Sequence, residues 1–113
     1  IGPVCARRIV RYRERLGGYV DKQQLMEVYG MTDTLYRKIS PYLYLDTIEV
    51  AKININSDSI HQLKAHTYLS YYQAKAIVSL REKAGRYQQP RDLLKVSLID
   101  EETYQRLLPY LAL

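Results

Sequence analysis

The chain repeats itself at a fixed spacing. Residues 1–45 align without a gap on residues 69–113, an offset of 68, and the two segments are identical at 14 of 45 positions. Shared apolar residues recur at helical spacing, and both segments include the run Pro-Tyr-Leu near their ends. A duplicated segment of this kind predicts a duplicated helical core, because each copy must bury the same helix faces. We therefore predict an all-α fold of two tandem units.

The second copy is complete, and it begins with an extended entry at residues 53–56. Ser59 and Gln62 have the spacing of a capping box, which starts a short first helix that ends near Lys64. A second helix is predicted over residues 72–83. Gly85 follows it at the position where a helix C-cap favours a left-handed residue.

Two more helices follow in the same copy. Pro90 suits the first turn of a third helix that ends near Val96, because proline there loses no intrahelical hydrogen bond. The fourth helix is predicted to end before Pro109. The unit is thus four short helices with turns joining the first to the second and the third to the fourth, mostly helical and without a true sheet.

The domain organisation follows from the repeat. We predict a first unit at residues 1–46 that lacks its opening helix, a short, fairly stiff extended linker at 47–52, and a complete second unit at 53–113. The missing helix leaves an apolar face around Ile9 and Val10. We expect upstream residues, the second copy or another chain to bury it.

Composition excludes several classes of function. The net charge is +5, with both halves mildly basic, which fits a polyanionic partner. The lone Cys5 permits no internal disulfide, and His61 and His66 lack a nearby third ligand, so we predict no metal, no cofactor and no catalytic residues. No apolar run reaches membrane-spanning length, so we expect no membrane contact. The start at Ile1, without a leader, is typical of a fragment whose targeting region lies upstream.

Several segments in register resemble the double helix-hairpin-helix module of ComEA-type DNA-uptake proteins. The resemblance covers nearly the whole chain, and its segments are 52–56, 73–78, Arg81-Glu82 before Gly85, 92–96 and 109–111. It implies four-helix units of the small helical class that includes SAM domains. It also implies sequence-independent binding of double-stranded DNA during uptake, in an extracytoplasmic or membrane-anchored bacterial protein whose anchor lies outside this fragment.

The resemblance also implies a way of binding the phosphates of DNA. In the family's Gly-x-Gly hairpin, backbone N–H groups at a helix start face a phosphate, where the helix dipole favours an anion. Glycine is needed because a Cβ crowds the turn and the approaching backbone. A basic residue just inside the helix adds charge pairing, which gives salt-dependent affinity without sequence reading.

The four hairpins keep this pattern to different degrees. The first, residues 1–3, retains Gly2 ahead of five arginines, and it is the best candidate for a phosphate site. The second, residues 28–33, keeps Gly30 but carries an acid where the motif usually has proline. The third, residues 67–71, has no glycine, and the fourth, residues 97–102, has three carboxylates at a helix start. Those acids suit the helix dipole and repel a phosphate.

We therefore predict a DNA-binding site made of backbone and basic groups, centred on the first copy. Arg13, whose repeat is Arg81, falls on the apolar face and is assigned a structural pairing instead, with a carbonyl or an acid. A solvated helix face is the plain alternative for the remaining arginines. The predicted site residues are Gly2, Val4, Arg7, Arg8, Arg11, Gly30, Thr32, Arg37, Lys38 and Lys75.

The chain has twelve tyrosines and neither Phe nor Trp. Three tyrosine pairs recur in both copies, and we predict that they pack in the core with the hydroxyl at the surface: Tyr19/Tyr87, Tyr36/Tyr104 and Tyr42/Tyr110. Tyr68, Tyr71 and Tyr72 have no such counterparts. Base stacking is open to them, but a protein-facing apolar patch is favoured because their hairpin lacks the phosphate amides.

Two functions of different classes follow. The leading one is non-catalytic, sequence-nonspecific binding of double-stranded DNA in a ComEA-like uptake role. The runner-up is a structural or protein-interaction module in which the helical unit persists after the hairpins have degenerated. An accessory part of a nuclease or repair enzyme would require catalytic residues outside this fragment, and the oligomeric state is left open.

Overall fold

A computed structural model of the protein describes residues 2–45 and 50–113. The regular secondary structure of the described chain is helical apart from one pair of two-residue strands, so the all-α prediction is confirmed. It divides into two compact units, Ile1–Val50 and Ala51–Leu113. Residues 46–49 lie outside the described residues, so the stiff linker at 47–52 stays a prediction. Among the described helices, none has the length and apolar character needed to cross a membrane.

The first unit contains two α-helices and two 3₁₀ segments. A positive φ at Gly17, +89°, ends the first helix, which is the conformation that glycine allows at a helix end. The elements are α1 (Pro3–Leu16), a 3₁₀ helix (Lys22–Glu27), α2 (Asp33–Ile39) and a 3₁₀ turn (Ser40–Tyr42).

The second unit follows the predicted order. The helix predicted over 72–83 is one residue longer at each end, and Gly85 after it has the expected positive φ, +91°. The third helix is 3₁₀ rather than α. The elements are β1 (Ile53–Asn54), α3 (Ile60–Lys64), α4 (Tyr71–Ala84), a 3₁₀ helix (Pro90–Lys95), α5 (Glu101–Leu107), a 3₁₀ turn (Leu108–Tyr110) and β2 (Leu111–Ala112).

The strand pair was not predicted. Ile53 pairs in parallel with Leu111, and the Ile55 N–H donates to the Ala112 carbonyl oxygen at 3.1 Å. The extended entry predicted at 53–56 was correct for Ile53 and Asn54, whereas residues 55–57 form a turn. The partner of the strand lies at the opposite end of the unit, where no local pattern reveals it. The pairing closes the unit by joining its first and last segments.

The core of the second unit lies between α3, α4, the 3₁₀ helix and α5. Its fully buried side chains include Leu63, Ile77, Leu93 and Leu107. The Arg81 guanidinium donates to the Ile55 carbonyl oxygen at 3.0 Å, which is a structural pairing. Arg13, the residue for which that pairing was predicted, is exposed, so the prediction is not confirmed for Arg13 itself. Helix α3 covers the face of α4 that carries Ala74 and Ile77.

The equivalent face of α1 has no such cover among the described residues. Ala6 is exposed where its counterpart Ala74 is fully buried, Ile9 is half-buried and Val10 is 40% exposed. A surface groove of about 400 Å³ runs along this face, lined by Ala6, Arg7, Val10, Arg11 and Glu14. Burial of this face by another element stays a prediction.

Both units repeat the same internal hydrogen bonds. The Tyr19 hydroxyl donates to the Ile9 carbonyl oxygen at 2.7 Å, and the Tyr87 hydroxyl donates to the Ile77 carbonyl oxygen at the same distance. The prediction that such hydroxyls lie at the surface was therefore wrong for these two tyrosines. In each unit the hydroxyl binds a helix carbonyl beside the core.

A second tyrosine pair differs between the units. Tyr110 is fully buried, with its ring centre 4.9 Å from that of His66, whereas Tyr42 is 88% exposed. The core position predicted for Tyr42 was therefore wrong. His66 itself is buried, and its Nδ1 accepts a hydrogen bond from the Tyr68 N–H at 3.0 Å.

Candidate nucleic-acid interface

The hairpins keep one backbone turn, whatever their glycine content. In the second, third and fourth hairpins the turn is closed by the N–H of a middle apolar residue, which donates to the carbonyl oxygen three residues earlier at 3.0 to 3.1 Å. These residues are Met31, Leu69 and Ile99. Leu69 and Ile99 are buried, so an apolar anchor and a backbone hydrogen bond preserve the hairpin in the absence of glycine.

What differs among the hairpins is the residue that caps the following helix. Thr32 accepts the Leu35 N–H at 3.1 Å, Ser70 accepts the Gln73 N–H at 3.1 Å, and Asp100 accepts the Thr103 N–H at 2.8 Å. Each side chain satisfies a helix-start N–H that would otherwise be open to an anion. Hydrogen bonding to Thr103 also lowers the pKa of Asp100 below its ordinary value.

Helix α1 is capped differently. Its N-cap is Gly2, with extended backbone angles (φ −75°, ψ 160°) close to those of Ser70, and it makes no side-chain capping hydrogen bond. Pro3 at the first helical position has no N–H, and the Ala6 N–H is taken by the Gly2 carbonyl oxygen at 3.1 Å. Among residues 2–45 the helix-start N–H groups of Val4 and Cys5 have no acceptor, and they lie at the positive end of the helix dipole.

In the part of the chain that the structure describes, no arginine of α1 has an acidic partner. Residues 2–45 and 50–113 contain three ion pairs, and none involves an α1 arginine. Arg7 and Arg11 line the groove on the open face of the helix. Exposed guanidinium groups without an acidic partner are the cations best suited to phosphate oxygens.

The structure places Arg8 apart from these two. Its Cζ lies 4.8 Å from the centre of the Tyr29 ring, and its Nη1 lies 2.7 Å from where a Cβ at Gly30 would stand. Two predicted site residues, Arg8 and Gly30, therefore meet at the second hairpin. Tyr29, 80% exposed, was missed by the sequence analysis, although the change to Ser97 in the other copy was a signal that could have found it.

The other predicted residues of the first unit differ in how free their side chains are to contact a phosphate. Arg37 forms an ion pair of 3.0 Å with Asp33, one turn earlier on α2. Lys38 and Val4 are exposed, whereas the Thr32 hydroxyl oxygen already accepts the capping hydrogen bond. The second hairpin thus offers few free cationic groups of its own.

In the second unit the hairpin surface is apolar and acidic. Tyr72 is 71% exposed, and Tyr71 and Leu98 are about half exposed. The Tyr71 and Tyr72 rings meet edge to face at 5.4 Å, while Arg106 lies over the Tyr68 ring at 4.1 Å. Lys75 is exposed on α4. Within the described chain, no group of three His, Cys, Asp or Glu side chains is placed to hold a metal ion.

Comparison with known proteins agrees with this architecture. A curated relative, ComE operon protein 1 of Bacillus subtilis (strain 168), is 33% identical over 57 residues, which span 50% of this chain and 28% of that protein. This match confirms the resemblance to ComEA-type proteins. No solved structure matches. The family model for the helix-hairpin-helix motif matches residues 1–44 and 49–112, and the chain therefore belongs to the helix-hairpin-helix family.

Proposed function

We propose that the chain is a non-catalytic module that binds double-stranded DNA without regard to sequence, in a competence-related role in DNA uptake. Membership of the helix-hairpin-helix family and the likeness to ComE operon protein 1 support DNA binding and a link to competence. The proposed site is centred on the first hairpin. Its residues in the first unit are Gly2, Val4, Arg7, Arg8, Arg11, Gly30, Thr32, Arg37 and Lys38, and Lys75 of the second unit is proposed as a further phosphate contact.

One observation carries this proposal. Helix α1 alone among the four hairpin helices lacks a side-chain cap in the described chain, and it also carries five arginines without an acidic partner. A phosphate can accept from the free amides while its charge is balanced by a guanidinium group. Interactions of this kind read the backbone and not the base edges, so the binding is nonspecific.

The test is a titration of random-sequence duplex DNA with the full chain, monitored by fluorescence anisotropy at several salt concentrations. Replacing Arg7, Arg8 and Arg11 with Ala should weaken binding to every duplex alike. The slope of log K against log salt should fall by roughly 0.9 for each phosphate that the variant no longer neutralises. No change in sequence preference is expected.

A charge-matched control separates a local site from net charge. Replacing Lys64, Lys83 and Arg86, which are exposed in the second unit, removes the same three positive charges. This variant should bind much more tightly than the α1 variant. If both variants weaken duplex binding equally, the affinity comes from net charge and not from a local site. A wild-type chain with no duplex affinity at low salt would refute DNA binding.

A second candidate function is protein interaction through the second unit. The exposed side chains of Tyr71, Tyr72 and Leu98 lie where a DNA-binding hairpin needs free amides, and three carboxylates follow at 100–102. Exposed aromatic side chains are typical of protein interfaces. Under this alternative duplex affinity is weak from the start, and replacing Tyr68, Tyr71 and Tyr72 with Ala disrupts a protein complex instead.

A further inference from the structure

The second hairpin of the first unit holds a guanidinium group that comes from another helix. Arg8 extends from α1 so that its Cζ lies 4.8 Å from the centre of the Tyr29 ring. Its Nη1 occupies space that a side chain at position 30 would fill, since a Cβ there would be only 2.7 Å away. Gly30 has a φ of +83°, so both its backbone and its missing side chain suit this arrangement.

The second unit provides an internal comparison. The positions equivalent to Arg8, Tyr29 and Gly30 are Ala76, Ser97 and Leu98, so the cation, the ring and the space are all absent there. The second unit joins its two hairpins in another way, because the Gln73 side-chain amide donates to the Leu98 carbonyl oxygen at 3.1 Å. The residue equivalent to Gln73 is Cys5, whose side chain cannot span the same distance.

The charges at the second hairpin show what Arg8 adds. Arg37 of α2 is paired with Asp33 at 3.0 Å, so a carboxylate already competes with a phosphate for that guanidinium. In the described parts of the chain Arg8 has no acidic partner. An aromatic ring beneath a guanidinium covers one face and leaves its N–H edge free to donate to an anion.

We propose that Tyr29 is a positioning residue that holds the Arg8 guanidinium at the second hairpin as the phosphate ligand of that hairpin. This inference rests on the proposed function, because it assigns a second phosphate-binding group within the same DNA site. Arg8 adds a cation without an acidic partner in the described residues to a hairpin whose own Arg37 is ion-paired with Asp33. The first unit therefore binds phosphates at two hairpins, with free amides at one and a ring-supported arginine at the other.

The experiment is a double-mutant cycle in the full chain, again with a labelled random-sequence duplex across a range of salt. Tyr29→Ala should weaken binding about two- to fivefold, and Tyr29→Phe should bind like the wild type because the ring is kept. Arg8→Ala should reduce the salt slope by roughly 0.9. In the Arg8→Ala background, Tyr29→Ala should have no further effect.

The matched control is Arg11→Ala, on the same helix but away from the ring. Its effect should add to that of Tyr29→Ala. If Tyr29→Ala binds like the wild type, or weakens binding as much without Arg8 as with it, the positioning role is wrong. The proposed function still stands in that case if Arg7→Ala and Arg11→Ala lower the salt slope. If the wild-type chain has no duplex affinity, both the positioning role of Tyr29 and the proposed function are wrong.

The variants should not unfold the protein, since Tyr29 is 80% exposed. Tyr29→Ser offers a second version of the test, because serine already occupies the equivalent position 97. Circular dichroism and thermal unfolding that match the wild type ensure that a fall in affinity reports on Arg8. A fall in affinity with both Tyr29→Ala and Tyr29→Phe would also overturn the inference, because the hydroxyl would then matter more than the ring.

Discussion

The Tyr87 hydroxyl donates a 2.7 Å hydrogen bond to the Ile77 carbonyl oxygen, in the middle of α4. Tyr19 and Ile9 form the same bond, 68 positions earlier. Each bond fastens the segment after a long helix to a backbone carbonyl group of that helix. The repeated pair therefore contributes to the stability of each unit and not to its surface.

We expect Tyr87→Phe to lower the free energy of unfolding by about 1 kcal/mol, because the ring is kept and one buried hydrogen bond is removed. Thermal or urea unfolding followed by circular dichroism measures the change. Tyr72→Phe is the matched control, since that side chain is 71% exposed and should leave stability unchanged. Equal stability of the wild type and Tyr87→Phe would show that the hydrogen bond from Tyr87 to the Ile77 carbonyl oxygen does not stabilise the fold.

Stability should also fall at alkaline pH. Burial raises the pKa of Tyr87 to about 12, against the opposing charge of Arg81. Because the folded-state pKa is raised above the unfolded value of about 10, the unfolded chain loses its proton first, and this stabilisation disappears as pH rises from about 10 to 12. Unfolding across that window should show a smaller decline for Tyr87→Phe than for the wild type. Parallel pH profiles would contradict the assignment.

Gly2→Ser tests whether free backbone amides bind phosphate. Nothing lies within 4 Å of a Cβ at Gly2, and its backbone angles match those of Ser70, so a serine should cap α1 without strain. The helix should gain a few tenths of a kcal/mol in stability, because the serine hydroxyl oxygen accepts a hydrogen bond from a helix-start N–H. Duplex affinity should fall, because that N–H is no longer free to bind a phosphate. Gly2→Ala is the control, with no capping oxygen. Unchanged affinity in Gly2→Ser would remove the α1 amides from the site.

Neutralising the fourth hairpin tests whether the second unit shares the duplex. Asp100→Asn, which can still cap α5, combined with Glu101→Gln and Glu102→Gln, removes three negative charges. Duplex binding at low salt should strengthen roughly threefold if this hairpin lies near the phosphates, as the inclusion of Lys75 in the proposed site requires. Anisotropy titrations measure the change. Unchanged affinity would mean that the fourth hairpin faces away from the duplex, and Lys75 would then not be a phosphate contact.

Local sequence was enough to locate the helices of this protein. The capping box at Ser59 and Gln62, the positive φ at Gly85 and the helix end before Pro109 were all predicted correctly. These features depend on hydrogen bonds and sterics between residues a few positions apart, which a sequence pattern displays directly. The repeat then extended each assignment to the first unit.

The tertiary structure decided where side chains from distant positions meet. Arg8 reaches Tyr29 across 21 positions, and Tyr110 is buried against His66 while its repeat, Tyr42, is exposed. Identical residues at equivalent positions differ in burial because the elements packed around them differ between the two units. Sequence alone determined the two helical units and identified the arginine-rich helix, since both rest on local spacing. Only the packed fold assigned one of those arginines to the second hairpin, because that contact depends on how α1 lies against it.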